Sequence, residues 1–375
     1  MTEMEHGAPG GVPEVGGVEP EGYRAAMEGC ALVERPPRAW ITVTGRDPAG
    51  MLSGIATGTI PDPPTTRDEG GLRGQGFYSA VLTPKGRMIT DLRIFPLVEG
   101  DPDFDAEAEH PGYLLDLPRT GLEGLQDHFR RFLPPRLARA RDRSDAYGVL
   151  TVVGPDAAAL VSREAFGLRL GAEELEALEE DEFLELDAGG GMRVRAVGCG
   201  DVEPPALDLL SDSGTISSLV DRLKGAGAVP AGPGVWDVLR VEAGRPAYGP
   251  DMDDSVIPVE AGIQDRAIDY GKGCYTGQEV VVMIRDRGQA PRQLRGLLLG
   301  DQPPPEPGTE LFAPGRERAA GEIRTAVPSP GLGQTVALAY VRREVEVPGT
   351  VHVAGPDGPT AEVRELSGPG WGSAA

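Results

Sequence analysis

Two stretches of this chain, ITVTGRDPAGMLS at 41–53 and LTVVGPDAAALVS at 150–162, are identical at six of thirteen aligned positions. The shared pairs are Thr42/Thr151, Val43/Val152, Gly45/Gly154, Asp47/Asp156, Ala49/Ala158 and Ser53/Ser162. Each copy reads as a β-branched run, a glycine, and then an Asp placed to cap a helix. Each is followed by two strand-like runs about a turn: Phe77–Leu82 and Met88–Phe95 around TPKGR, Phe183–Leu186 and Met192–Val197 around DAGGG. A strand–helix–hairpin unit used twice, its copies 109 residues apart, predicts two homologous α+β domains packed as a pseudo-symmetric pair.

After Pro291 the pattern changes. Arg295–Leu299, Gly321–Val327, Thr335–Val341 and Thr350–Val353 are short β-rich runs separated by Pro/Gly loops such as DQPPPEPG. Little there has a helical period, so a small antiparallel β-barrel is expected. The organisation read from the sequence is a disordered leader over 1–22, α+β domains over 23–145 and 146–290, the barrel over 291–366, and a frayed tail over 367–375. A length of 375 residues suits two or three such domains.

Charge narrows the function classes. A formal net charge of −23 argues against wrapping nucleic acid through the whole surface. No apolar run is long enough to cross a bilayer. The segment MTEMEHGAPGGVPEVGGVEP lacks the basic and apolar regions of a signal peptide. Cys30, Cys199 and Cys274 are odd in number and form no CxxC pair, so a reducing cytoplasm is the expected location. His6, His110, His128 and His352 show no metal-ligand spacing, and no metal site is expected. Neither a GxSxG elbow nor a phosphate-binding GxxxxGK[ST] loop is present.

One segment concentrates rare residues. KGCYTGQE, Lys272–Glu279, holds one of three cysteines and one of three lysines in a chain with thirty-three arginines. Its glycines permit positive φ or close approach to a ligand, and Lys272 would favour a thiolate at Cys274. The alternative is a Gly-rich turn whose small Cys packs inward. Two arginine-rich stretches, RRFLPPRLARARDR at 130–143 and VVMIRDRGQAPRQLRG at 281–296, reverse the local charge. They suit an anionic ligand tail or a partner's acidic face, or else arginines paired with neighbouring acids.

KGCYTGQE resembles the signature of the YgfZ-type folate-binding proteins, relatives of the glycine-cleavage T-protein (aminomethyltransferase). The block LRVEAGRPAYGPDMDDSVIPVEAGIQDRAIDYGKGCYTGQE, LTPKGRMITDLRIF and GEIRTAVPSPGLGQTVALAYVRRE extend that resemblance over roughly residues 23–353. It implies tetrahydrofolate, or a one-carbon derivative, as cofactor. Glu242 in the first EAG turn stands where the family contacts the pteridine, unless it only holds the turn. Glu260, in the second turn, reads as structural. Asp91 stands in the region of the catalytic acid, although the family's acidic pair here is Thr90-Asp91; strand-end capping is its other reading. Cys274 would be the working residue of the YgfZ-type, with Lys272 and Tyr275 beside the cofactor.

The implied function is a folate-binding accessory protein for assembly or repair of iron–sulfur clusters, and through them tRNA modification. Its partners would be cluster-assembly or client proteins, and it need not be a classical turnover enzyme. The alternative is an aminomethyltransferase-like enzyme that uses tetrahydrofolate and a lipoylated carrier protein.

Overall fold

The computed structural model describes residues 20–66, 71–187, 193–288, 290–366 and 371. Most of the expected leader, and the DAGGG turn, lie outside them. The first half runs α1 (Pro20–Glu28), β1 (Ala31–Val33), β2 (Arg38–Gly45), α2 (Pro48–Ser53), β3 (Thr65–Thr66), β4 (Leu72–Gln75), β5 (Phe77–Leu82), β6 (Met88–Pro96), β7 (Tyr113–Pro118), α3 (Leu122–Phe132) and β8 (Ala138–Asp142). The second runs β9 (Gly148–Val153), α4 (Ala157–Glu164), α5 (Ala172–Glu176), β10 (Glu182–Asp187), β11 (Arg193–Gly198), β12 (Ala206–Ser211), α6 (Ser213–Gly225) and β13 (Val229–Ala231). Three helices follow: α7 (Pro233–Glu242), α8 (Gln264–Ala267) and α9 (Gln278–Arg287). The last six strands are β14 (Arg292–Gly300), β15 (Glu310–Phe312), β16 (Ala319–Ser329), β17 (Gln334–Arg342), β18 (Gly349–Val353) and β19 (Thr360–Arg364).

The duplication extends beyond the two matching stretches. The first sheet has the order β5-β6-β7-β2-β8, and the second contains β10-β11-β12-β9 with β13 at its far edge. In both, an opening strand and helix lead to a hairpin, a third strand, a second helix and a closing strand. The second sheet departs in one respect: it borrows strands from the first half. β1 wedges between β9 and β13, antiparallel to one and parallel to the other, while β3 and β4 extend the edge beyond β10. The remaining strands close an antiparallel barrel in the order β14-β17-β16-β15-β18-β19.

Three local readings need correction. Asp47 caps α2 through its side chain, 3.0 Å from the Gly50 amide, but Asp156 makes no such bond at α4. Asp156 is already in the right-handed helical region at φ −90°, ψ −1°, unlike the extended backbone of a typical side-chain cap. Residues 20–22, expected in the leader, begin α1 and bury Gly22 beside Ala231. Trp371, expected in a frayed tail, is buried against Gly296 of β14 and beside Gly244.

The alternation of strand side chains explains how the halves meet. Leu92 and Ile94 of β6, with Leu115 and Leu117 of β7, point into the core covered by α3. Leu207 and Leu209 of β12 point into the core under α4 and α6. The opposite faces carry Phe95, Leu114, Phe183 and Leu210, which pack together between the sheets. They also carry Arg93, Asp116 and Asp208, all buried. Arg93 spans the halves: Nε lies 2.8 Å from Asp116 Oδ2, and Nη1 lies 2.7 Å from Asp208 Oδ2. Arg38 adds a 2.6 Å bond to Asp116, and Arg35 a 2.7 Å bond to Asp208.

Removing one partner of a buried pair leaves uncompensated charge behind, at a cost of about 3–5 kcal/mol. Arg93→Met is therefore expected to lower unfolding stability by roughly 3 kcal/mol, because Arg35 and Arg38 still cover part of the two carboxylates. Arg130→Ala, in an exposed pair with Asp127, should cost less than about 0.5 kcal/mol. Urea denaturation of both variants checks this. Equal midpoints would mean that the inter-sheet charges contribute no more than surface ones.

Candidate functional site

Where the two sheets and α7 converge, the described residues line a chamber that is partly open to solvent. Asp91 and Arg93 reach it from β6, Trp236 and Arg240 from α7, and Arg266 from α8. Tyr78, Asp181, Asp201, Arg245 and Tyr248 also belong to its polar wall, with Arg35, Arg38, Glu180 and Asp237. α7 is buried almost all round, with Val235, Val238, Leu239 and Val241 in the central apolar cluster, so its polar residues have few directions in which to point.

Charge in the chamber is unevenly compensated. Asp201 receives Arg35 at 2.7 Å and Arg266 at 3.1 Å. Burial alone would raise its pKa, but Arg35 and Arg266 hold it far below the ordinary carboxylate value. Asp116 and Asp208 are likewise held low by their guanidiniums against the pull of burial. Arg35 also lies over the Trp236 ring, 4.2 Å from its centroid.

Asp91 is different. Its Oδ2 accepts the Tyr78 hydroxyl at 2.8 Å, while Oδ1 is buried with no hydrogen-bond partner among the described residues. Burial raises its pKa above the ordinary value, and the Tyr78 bond and Arg38 only partly oppose that. Arg266 stacks on Tyr78, 4.5 Å from the ring centroid, and fixes the phenol that orients Asp91. Arg245, half-buried on the chamber wall, has no ion pair among the described residues, and burial lowers its pKa.

The other expected site residues lie elsewhere. Glu242, anticipated at the pteridine, is not part of the chamber wall. Its carboxylate accepts Tyr23 at 2.9 Å, Ser329 at 2.5 Å and the Gly331 amide at 3.2 Å, and so fastens the end of α7 to the β16–β17 turn. Glu260 accepts the Ile257 amide at 3.4 Å within its own turn. Lys272 is outside the chamber as well. Its Nζ donates to the carbonyls of Ala56 and Gly58 at 2.8 and 2.7 Å, and burial brings its pKa down to about 8.

KGCYTGQE is also tied to the same loop by the Thr276 amide, 3.0 Å from the Gly54 carbonyl, and just before the segment the Asp269 amide lies 3.0 Å from the carbonyl of Thr57. Tyr275 is buried in the central apolar cluster, and Cys274 is exposed. Cys30 is buried, with its thiol pushed up to about 12 by burial and Asp156. Among the described residues no group of three or more His, Cys, Asp or Glu could hold a metal ion, and no helix is long and apolar enough to cross a membrane. The arginines at 130–143 are largely used locally; Arg141 and Arg143, for example, both bind Asp103.

Sequence reasoning missed the chamber's arginines, its Asp181 and Asp201, and the inter-sheet carboxylates Asp116 and Asp208. For Arg93, Asp116 and Asp208 a usable signal existed: LLDLP and ALDLLS each place one Asp on the inter-sheet face of an otherwise apolar strand, and DLRIF places an Arg likewise.

Residues 18–272 match the GCVT N-terminal domain, and residues 292–369 match the glycine cleavage T-protein C-terminal barrel domain. The aminomethyltransferase of Rubrobacter xylanophilus is 30% identical over 282 residues, 75% of this chain and 70% of the relative. That of Streptomyces coelicolor is 27% identical over 341 residues, 89% and 84% of the two chains. The crystal structure of glycine cleavage system aminomethyltransferase T from Bartonella henselae matches the fold with a TM-score of 0.74 at 18% identity. It covers 93% of this chain and 88% of that one.

A carboxyl whose folded-state pKa is raised favours the folded state most below its unfolded value, and that advantage is lost as pH rises through the folded value. Asp91→Asn keeps an acceptor for Tyr78 and removes the buried charge. Its melting temperature is expected to exceed that of the wild type at pH 8, with the gap closing as pH falls into the ordinary carboxylate range. A constant gap across that range would mean that Asp91 titrates normally.

Proposed function

The chain belongs to the glycine-cleavage T-protein family, and on that premise we propose that it binds tetrahydrofolate, or a one-carbon derivative, in the central chamber. We further propose that it uses this site to support assembly or repair of iron–sulfur clusters, and thereby tRNA modification. The observation that carries the folate reading is Asp91, a buried carboxyl with one oxygen on Tyr78 and the other without a donor among the described residues. A buried acceptor left unpaired is costly, and an N–H of a pterin edge would satisfy it. Arg245, without an ion pair among the described residues, suits a ligand that carries carboxylates. When bound, folate supplies a reduced pterin nitrogen that carries a one-carbon unit. Glu242 serves this site indirectly, by holding α7 against the barrel.

Cys274 supports the iron–sulfur half of the proposal because its thiol is exposed while Cys30 and Cys199 are not. One thiolate cannot hold a cluster that normally takes four ligands, so a partner protein supplies the others. The thiol acts from outside the chamber wall, on the loop that Lys272 pins to Ala56 and Gly58. A second reading is aminomethyl transfer from a lipoylated carrier protein, favoured by the relatives named aminomethyltransferase. In it Asp91, kept protonatable by burial, moves a proton at the folate nitrogen.

Calorimetry and complementation separate these readings. Wild type is expected to bind tetrahydrofolate, and Asp91→Ala to bind it about 10- to 100-fold more weakly, the loss of one charged hydrogen bond. Cys274→Ser should bind normally yet fail to restore an iron–sulfur enzyme in a bacterium that lacks its own YgfZ-type protein. Equal rescue by wild type and Cys274→Ser would remove the cysteine from the account. Ammonia release from an aminomethyl-lipoyl carrier, lost in Asp91→Asn, would put the transferase first.

A further inference from the structure

Asp201 of the chamber wall and the inter-sheet carboxylates Asp116 and Asp208 each accept at least two arginine bonds at 3.1 Å or less. Asp181 sits in the same wall without that compensation. Its closest cation is Arg93, whose Nη1 is 3.7 Å from Oδ1, too far for a hydrogen bond. Its side chain accepts no hydrogen bond from any described residue, although it is only 4% exposed. It is also the only non-glycine residue of the described chamber wall with φ in the left-handed region, at 61°.

That conformation is imposed from both sides. The Asp181 amide donates to Gly198 at 3.0 Å, and its carbonyl accepts from Gly76 at 2.8 Å. The backbone is therefore held by the start of β5 and the end of β11 in a geometry that L-residues rarely adopt, and the carboxyl faces the chamber. Such over-determined outliers cluster at ligand sites.

We infer that Asp181 is a second ligand-contacting carboxyl of the chamber, which in its protonated form donates its O–H to an acceptor atom of the bound ligand. The inference rests on the folate reading, and the acceptor would be a ring oxygen or nitrogen of the pterin. Asp91 comes from the first sheet and Asp181 from the entry to β10, so each half of the duplicated frame contributes one protonatable group.

The groups that face Asp181 decide its charge. Burial raises its pKa most; Arg93 on β6 opposes this, Glu180 beside it adds to the rise, Arg266 on α8 lowers it, and Asp201 on the loop after β11 raises it. The outcome is about 7. Below that value Asp181 is a neutral donor; above it, a carboxylate that repels an acceptor.

Isothermal titration with tetrahydrofolate from pH 6 to 9, for wild type and Asp181→Asn, tests this. Asn tolerates the left-handed backbone and is a permanent N–H donor. Wild-type Kd is expected to rise above neutrality by up to about tenfold per pH unit, the slope of one linked proton, while Asp181→Asn loses that rise. Proton uptake at pH 8, measured in two buffers of different ionisation enthalpy, should be present in wild type and absent in the variant. Infrared titration of the free protein adds a readout without ligand, in which a protonated carboxyl band lost near neutral pH in wild type is missing from Asp181→Asn. If the variant keeps the wild-type pH slope, or wild type takes up no proton, the inference is overturned. If wild type binds no tetrahydrofolate at any pH, the folate reading itself falls, and this contact with it.

Discussion

The guanidinium of Arg93, held between Asp116 of one sheet and Asp208 of the other, is the interaction on which the rest of the arrangement depends. An apolar interface between two sheets would close against itself and leave no interior. Charges on the facing strands cannot be packed away in that manner; they need partners at fixed distances, and the partners hold the walls apart. Arg35 and Arg38 extend the network to the N-terminal segment, and Arg266 extends it to α8. The chamber is the space left between the sheets once this network is satisfied, and its chemistry comes from the carboxyls the arginines do not reach. Buried charge of this kind adds little net stability, but it specifies one geometry.

Much of this architecture was legible in the sequence, for identifiable reasons. Two copies of one motif with matching downstream hairpins imply two similar sheets, and the hairpin, third and opening strands do follow one order in both, β5-β6-β7-β2 and β10-β11-β12-β9. The barrel showed itself through β14, β16 and β17, whose lengths of 9, 11 and 9 residues carry a clear pattern. β15, with 3 residues, is too short to register, and β19, which pairs with β14 to close the barrel, was not among the runs read from the sequence. The exchange of β1 and β4 into the second sheet left no local trace. A strand's period records which of its faces is buried, not which sheet it joins.

The candidate site was legible in part. Asp91 was anticipated and lines the chamber. Glu242 stands in a recognisable turn, but its neighbours Tyr23, Ser329 and Gly331 lie far away in the chain, and only the fold reveals that they occupy its carboxylate. Lys272 was read as a partner for the Cys274 thiol, yet its ammonium is bound by two backbone carbonyls from α2's trailing loop. The rare lysine is used where a slender, flexible cation can reach between two oxygens, a task for which a planar guanidinium is poorly shaped. Cys274, two residues on, is exposed and is not part of the chamber wall.

The borrowing of β1 by the second sheet has a consequence for how the protein is made. Synthesis proceeds from the N-terminus, so Ala31–Val33 leave the ribosome long before Thr151–Val153 and Val229–Ala231, the segments between which they lie. The first sheet can assemble as soon as β8 has emerged, while β1 must wait as an unpaired apolar strand. Its late insertion between β9 and β13 closes the second sheet and joins the ends of the duplicated region. Folding is therefore vectorial for one half and contingent for the other, and the nascent chain carries an unpaired strand until β9 and β13 have emerged.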